Sequence, residues 1–190
     1  MILITLPHGK SNQSTNYDVG AIEFLQYLER AMLDLNLNYE VLVGDTHREL
    51  VDLNRKESYG TEFYNEFCKL LETASIHLDL HSYPFVEEDA QENDALTSLG
   101  DDLRALSVHT AVFLEVDNVT HPIVFRNMTE AIEKNFDIGI FDIAIEGAFL
   151  TTVSSVLFDI PSVVMEVNDQ SVEDYERLAN SVAAYFVDFS

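Results

Sequence analysis

Three residues that could bind a metal or move a proton lie at or near the ends of apolar segments in this sequence of 190 residues. His8 and His81 each come just after such a segment, and Glu166 lies inside an apolar, β-branched one. Histidine nitrogens are common zinc ligands, and two histidines at the carboxyl ends of two strands can converge on one metal ion. A carboxylate buried among apolar residues has a raised pKa, which suits a general base. The residue types therefore indicate a metal site with a base beside it.

Strand geometry selects among the candidates near His81. In an extended strand, residues 77, 79 and 81 point to one face, and at ~3.3 Å per residue His77 and His81 lie ~13 Å apart. Zinc–ligand bonds are only ~2 Å long, so one ion cannot bind both histidines. His81, at the outer end of the strand, is the better ligand. We expect His77 to be buried, and Asp79 to be either a hydrogen-bond acceptor for a metal-binding histidine or a structural carboxylate.

Glu166 allows two interpretations. It could lie at a strand edge or make a structural hydrogen bond, or it could be a general base whose pKa is raised by burial. The apolar residues that precede it indicate a central strand. We therefore expect Glu166 to act as a base near the carboxyl end of the sheet.

A polar loop over residues 44–56 carries three of the ten cationic side chains of the chain, namely Arg48, Arg55 and Lys56. A solvated surface loop is one explanation, but it predicts no such concentration of positive charge. An arginine fork can bind a carboxylate through two hydrogen bonds, and Asn54 can add another. We expect this loop to form a positive pocket that binds a small anionic substrate.

Apolar runs and helical periodicities alternate along the chain. The predicted strands cover 2–6, 39–43, 75–80, 110–116, 138–145 and 162–168, and the predicted helices cover 18–35, 61–73, 96–106, 126–135, 148–158 and about 172–185. Several strands are almost entirely apolar, as expected for a parallel sheet that is covered on both faces. We predict an α/β fold with a single domain over 1–190, a three-layer α/β/α sandwich around a mostly parallel mixed sheet. In such sheets the ligand site lies at the carboxyl ends of the strands.

The composition disfavours several classes of partner. The formal net charge of −24 repels nucleic acid and anionic membranes. Cys68 is the only cysteine, so no internal disulfide can form, and we expect a buried structural thiol in a reducing compartment. No segment has the length of a membrane span or the features of a signal peptide. We expect a soluble, cytoplasmic protein whose oligomeric state the sequence leaves open.

Five short segments, spread over almost the whole chain, resemble the zinc-dependent carboxypeptidase superfamily and, within it, most closely the N-formylglutamate amidohydrolases. In the order of that family they are Pro7-His8-Gly9, Asp18-Val19-Gly20, Arg48-x-x-x-Asp52-Leu53-Asn54-Arg55, Asp79-Leu80-His81-Ser82 and Met165-Glu166-Val167-Asn168. The His-Ser-Tyr run at 81–83 looks like the zinc-ligand segment of carboxypeptidases, and Asp-Leu-Asn-Arg at 52–55 looks like the substrate motif of aspartoacylases. The resemblance implies a zinc carboxypeptidase-like fold of the phosphorylase/hydrolase type.

The resemblance also implies a role for each matching residue. The zinc ligands would be His8, His81 and Asp18. Carboxypeptidases place a Glu three residues after the first His, where this chain has Ser11, so Asp18 is our choice, with Glu23 behind it and a pure helix N-cap as the alternative for Asp18. The remaining roles would be Glu166 as the base that activates water, Arg48 as the group that polarises the scissile carbonyl, and Asn54 with Arg55 as the substrate-carboxylate site.

Three functions follow from these observations. The first is a zinc-dependent amidohydrolase that cleaves the amide of a small N-acyl amino acid such as N-formylglutamate. The second is a metallocarboxypeptidase that acts on peptides or cell-wall peptides. The third is a non-catalytic protein that binds acidic amino acids, which Ser11 and the lack of an arginine over 147–152 would favour.

Overall fold

A six-stranded sheet forms the centre of the molecule. The computed structural model describes residues 1–9, 18–47, 50–83, 109–116, 121–143 and 148–190. The strands are β1 (Ile2–Leu6), β2 (Tyr39–Val43), β3 (Ile76–Tyr83), β4 (Ala111–Val116), β5 (Ile138–Ile143) and β6 (Ser162–Asn168). Their order across the sheet is β2-β1-β3-β6-β4-β5, and all neighbours are parallel except the antiparallel pair β4 and β6. The predicted mostly parallel mixed sheet is therefore confirmed.

Helices cover both faces of this sheet. They are α1 (Val19–Asp34), α2 (Glu62–Leu71), α3 (Pro122–Glu133), α4 (Phe149–Thr152), which continues as a π-helical turn over Val153–Leu157, and α5 (Tyr175–Phe186). Short 3₁₀ turns occupy Lys56–Ser58, Val172–Asp174 and Val187–Phe189. Apolar residues of α1, α3 and α5 pack on one face, and those of α2 and α4 pack on the other, which confirms the three layers.

Some predicted boundaries were wrong or cannot be compared. Helix α3 begins at Pro122, four residues before the predicted start at 126, because proline fits the first turn of a helix, where its missing N–H costs nothing. The predicted helix over 96–106 lies outside the described residues. Cys68 on α2 is half-buried beside an apolar cluster, where we predicted a buried thiol. No helix in the described part of the chain is long and apolar enough to cross a membrane.

Strand β3 shows how the sheet separates apolar packing from polar chemistry. Its residues Ile76, Leu78 and Leu80 pack in the cluster that includes α1 and α5. The alternate positions, His77, Asp79 and His81, point to the opposite face because successive side chains of a strand alternate. Apolar burial on one face therefore fixes the orientation of three polar side chains on the other.

Candidate metal centre

Three side chains converge at the carboxyl ends of the central strands. His8 follows β1, His81 lies near the end of β3, and Asp18 lies directly before α1. Each offers one atom, and these atoms all lie within 4.8 Å of one another. The Asp18 Oδ2 atom is 2.9 Å from His81 Nδ1 and 3.4 Å from His8 Nδ1. The three residues are the ones that the sequence analysis selected as metal ligands, and all three are buried.

The separation between His8 Nδ1 and Asp18 Oδ2 suits two ligands of a tetrahedral zinc ion. Two ligands that are each ~2.0–2.1 Å from such an ion lie roughly 3.3 Å apart. His8 Nδ1 is 3.4 Å from Asp18 Oδ2, and it is buried with no hydrogen-bond partner among the described residues. A buried nitrogen that faces a carboxylate without a hydrogen bond is satisfied when both atoms bind a cation. The donor set therefore fits zinc or a similar divalent ion.

Carboxylates also hold the second nitrogen of each histidine. His8 Nε2 is 2.9 Å from Asp52 Oδ1, and His81 Nε2 is 3.4 Å from Asp79 Oδ1. Carboxylates in this position orient a metal-binding imidazole and make it a better ligand. Asp79 was predicted as one possible acceptor of this kind. The role of Asp52 was not predicted, although the residue lies within the family-like segment over 48–55.

The electrostatic environment favours positive charge at the centre. Burial alone would lower the pKa of His81, but the charge of Asp79 and the hydrogen bond to Asp18 raise it well above its ordinary value. Burial alone would raise the pKa of Asp18, but the close imidazoles of His8 and His81 bring it below its usual range. Ionised carboxylates around three converging ligand atoms are the surroundings that a divalent cation requires.

Asp18 does not act as a helix cap. It occupies the N-cap position of α1, but its side chain makes no hydrogen bond to the first turn of that helix. The carboxylate turns instead toward His8 and His81. The alternative that Asp18 is a pure N-cap was therefore wrong. Glu23, the second candidate for the third ligand, is not part of the converging group.

Glu166 lies beside the three converging residues. In the parallel pairing of β3 with β6, His81 and Glu166 are register partners, so their side chains point to the same face of the sheet from strands ~4.8 Å apart. Burial raises the pKa of Glu166 to about 7, with Asp18 and Asp79 adding to the rise and His81 opposing it. A carboxylate with this pKa can accept and release a proton near neutral pH.

Of the residues predicted to bind the substrate, Asn54 and Arg55 also contact other parts of the protein. Asn54 is buried, and its side-chain nitrogen lies 3.1 Å from Asp79 Oδ2 and 3.0 Å from His81 Nε2, while its side-chain oxygen accepts from the backbone of Leu150. Its amide is thus engaged on both sides by the protein. Arg55 is half-buried and donates from Nη1 to the backbone oxygen of Asn54. Arg48 lies outside the described residues.

A buried hydrogen-bond chain supports Asp79 from beneath. Thr5 Oγ1 donates to Asp79 Oδ1 at 2.7 Å, and the same oxygen is 2.8 Å from His77 Nε2. Because the Thr5 hydroxyl has one proton, it must accept from the Nε2–H of His77. The Nδ1 atom of His77 lies 2.7 Å from the Ser162 hydroxyl and 2.8 Å from the Ser154 hydroxyl. His77 is fully buried, as predicted, and this burial favours the neutral imidazole by lowering its pKa.

Acid is expected to destabilise the protein through His77. Burial lowers its pKa from 6.5 to about 4, so below pH 6.5 the unfolded chain binds a proton that the folded chain does not. The free energy of unfolding should fall by about 3 kcal/mol from this residue as the pH drops from 6.5 to 4. Urea unfolding between pH 7 and 4 should therefore show a smaller fall for His77→Gln than for wild type. Equal falls in the two proteins would contradict a neutral His77.

Solved structures share the fold of this chain, although no similar sequence is found. No protein-family profile matches this chain, and no curated protein matches it in sequence. Solved structures with the same fold include a gene product of Agrobacterium tumefaciens, with a TM-score of 0.63, 12% identity, and coverage of 99% of this chain and 88% of that one. An N-formylglutamate amidohydrolase from Ralstonia eutropha has a TM-score of 0.60 and 14% identity, with 98% and 94% covered.

A third solved structure extends the comparison to peptidases. A metallo-carboxypeptidase from Burkholderia cenocepacia has a TM-score of 0.60 and 10% identity, and the match covers 98% of this chain but only 56% of that one. The zinc carboxypeptidase-like fold that the sequence resemblance implied is therefore confirmed.

Proposed function

We propose that this protein is a zinc-dependent amidohydrolase that cleaves the amide bond of a small N-acyl amino acid such as N-formylglutamate. The observation that carries the proposal is the convergence of His8, Asp18 and His81 next to Glu166. The shared fold with an N-formylglutamate amidohydrolase and a metallo-carboxypeptidase supports hydrolysis of an amide or peptide bond. A cytoplasmic location belongs to the same proposal.

The metal ion and Glu166 would have separate chemical tasks in this reaction. A zinc ion bound there supplies Lewis-acid polarisation of the amide carbonyl and acidifies water. Glu166 accepts a proton from the water that attacks the carbonyl carbon. It then delivers that proton to the amide nitrogen as the C–N bond breaks, so that the products are a carboxylic acid and a free amine. The pKa of Glu166, about 7, suits both steps.

The cationic loop supplies recognition of the substrate. Arg48 polarises the scissile carbonyl and stabilises the charge that develops on its oxygen. Arg55 binds the substrate carboxylate, which a chain of net charge −24 would otherwise repel. The Asn54 amide already donates to Asp79, so we assign it a second task, which is to hold the Asp79 carboxylate in place beside His81.

A metallocarboxypeptidase is the second candidate. The same metal centre and base would serve it, and the segment His81-Ser82-Tyr83 favours it. The common fold with the metallo-carboxypeptidase is a further argument. A binding protein without activity ranks third, because it gives no reason for a carboxylate at position 166 with a pKa of about 7.

A substrate panel tests these proposals. Zinc-loaded protein is incubated with N-formylglutamate, with N-formylglutamine, which keeps the α-carboxylate but has an uncharged side chain, and with peptides that have a free carboxyl end, and released amines are quantified. Hydrolysis of N-formylglutamate in preference to N-formylglutamine is the expected result. Cleavage of the peptides alone would establish the carboxypeptidase. Binding of glutamate to the zinc-loaded protein without hydrolysis of any compound would establish the binding protein.

A further inference from the structure

The helix that carries Asp18 is capped by a residue from a distant part of the chain. Asp18 stands at the N-cap position of α1, where an aspartate ordinarily accepts a hydrogen bond from the first turn. Its side chain makes no such bond. Gly20, the second residue of α1, instead donates its N–H to Asp169 Oδ1 at 2.9 Å. Asp169 directly follows β6 and supplies the cap that Asp18 does not.

Gly20 is the residue that makes room for this contact. A Cβ atom at position 20 would overlap the Asp169 Oδ1 atom and would lie 2.5 Å from the hydroxyl oxygen of Tyr175. The requirement for glycine is therefore one of space. Any larger side chain at this position must displace the Asp169 carboxylate, the Tyr175 hydroxyl, or both.

Asp169 joins three of the four elements that carry the metal centre and the base. Its own N–H donates to the backbone oxygen of Tyr83 at 3.0 Å, at the end of β3. The Tyr175 hydroxyl donates to the backbone oxygen of Asn168 at 2.9 Å and so fixes the preceding residue. Through these bonds Asp169 connects the start of α1 to the ends of β3 and β6.

We propose that Asp169 is a positioning residue, which caps α1 in place of Asp18 and thereby leaves the Asp18 carboxylate free to complete the metal centre. The inference rests on the proposed function, because it takes Asp18 as a metal ligand. Without the Asp169 carboxylate, the unpaired N–H groups of the first turn compete with the metal for the Asp18 side chain. Asp169 acts on the metal through Asp18.

Zinc affinity is the measurement that tests this role. The Kd for Zn²⁺ is determined by competition with a chromophoric chelator for wild type, Asp169→Ala and Asp169→Asn. We expect Asp169→Ala to bind zinc ~10–100-fold more weakly, as is usual for residues that support metal ligands. Asp169→Asn keeps the Oδ1 acceptor and should stay close to wild type. Hydrogen exchange of the Gly20 amide should accelerate in the alanine variant only.

Gly20→Ala separates positioning from general stabilisation of the helix. Alanine raises helix propensity, so an effect on α1 alone would leave zinc affinity unchanged, whereas displacement of Asp169 should weaken it. This variant also carries the test if Asp169→Ala does not fold. Equal zinc affinity in wild type, Asp169→Ala and Gly20→Ala would overturn the positioning role alone. A wild-type protein that binds no zinc would overturn the proposed function, and the positioning role with it.

Discussion

Glu166→Gln is expected to lower kcat/KM for amide hydrolysis by ~10²–10⁴-fold, the usual contribution of a positioned general base. Glutamine keeps the shape of the side chain but cannot accept a proton. Glu166 is half-buried beside His81 in the sheet, and burial raises its pKa to about 7. The zinc content should stay at the wild-type level, because Glu166 is not among the three converging residues that we propose as ligands. Steady-state kinetics and metal analysis of the same preparations check both expectations.

Glu115 offers a matched control for this substitution. It is also a half-buried glutamate near the end of a strand, but β4 runs antiparallel to β6, so Glu115 lies toward the opposite edge of the sheet. Glu115→Gln should keep wild-type kinetics. If Glu166→Gln binds zinc and remains as active as Glu115→Gln, Glu166 takes no part in the mechanism.

The strands with apolar residues on both faces could be predicted from the sequence. The predicted bounds of β1, β2 and β6 agree residue for residue with the structure. Strand β3 ends at Tyr83, three residues beyond the predicted end. Its last residues are polar, and they stay in the sheet because Ser82 and Tyr83 pair with Val167 and Asn168 of β6. The local composition of β3 gives no information about its pairing with β6, which lies much later in the chain.

The arrangement of the strands could not be predicted in the same way. Strand β6 lies between β3 and β4, and only β4 and β6 pair in the antiparallel direction. An apolar strand has the same composition in either direction, so direction depends on the path of the connecting segments. This arrangement brings Glu166 next to His81, a proximity that the sequence predicted only as a shared edge of the sheet.

The two candidate histidine ligands are conspicuous because each follows an apolar segment, whereas Asp18 was selected from the family resemblance. The residues that support these candidate ligands could not be predicted from the sequence. Asp52 is a polar residue in a polar loop, and its contact with His8 joins two parts of the chain that lie far apart. The capping of α1 by Asp169 could not be predicted from the sequence either. Its one local signal is Gly20, a glycine in the first turn of a helix where helix propensity disfavours it.

His81→Ala is expected to abolish stoichiometric zinc binding. Purified wild type should contain about one zinc per chain, because three buried ligand atoms lie within 4.8 Å of one another and carboxylates favour positive charge between them. Loss of a residue that merely supports a ligand usually costs ~10–100-fold in metal affinity, and loss of a ligand costs more. Metal analysis after dialysis against buffer without chelator measures the content directly.

Two further variants test whether the loss of zinc is specific to the proposed metal centre. Asp52→Asn removes the charge behind His8 but keeps an acceptor oxygen, so its zinc affinity should fall between those of wild type and His81→Ala. His109→Ala removes a histidine that is also paired with an aspartate, Asp137, but lies outside the converging group, and it should keep full zinc content. Equal losses in all three variants would indicate unfolding. Zinc retained by folded His81→Ala would exclude His81 as a ligand and would contradict the centre on which the proposed hydrolysis depends.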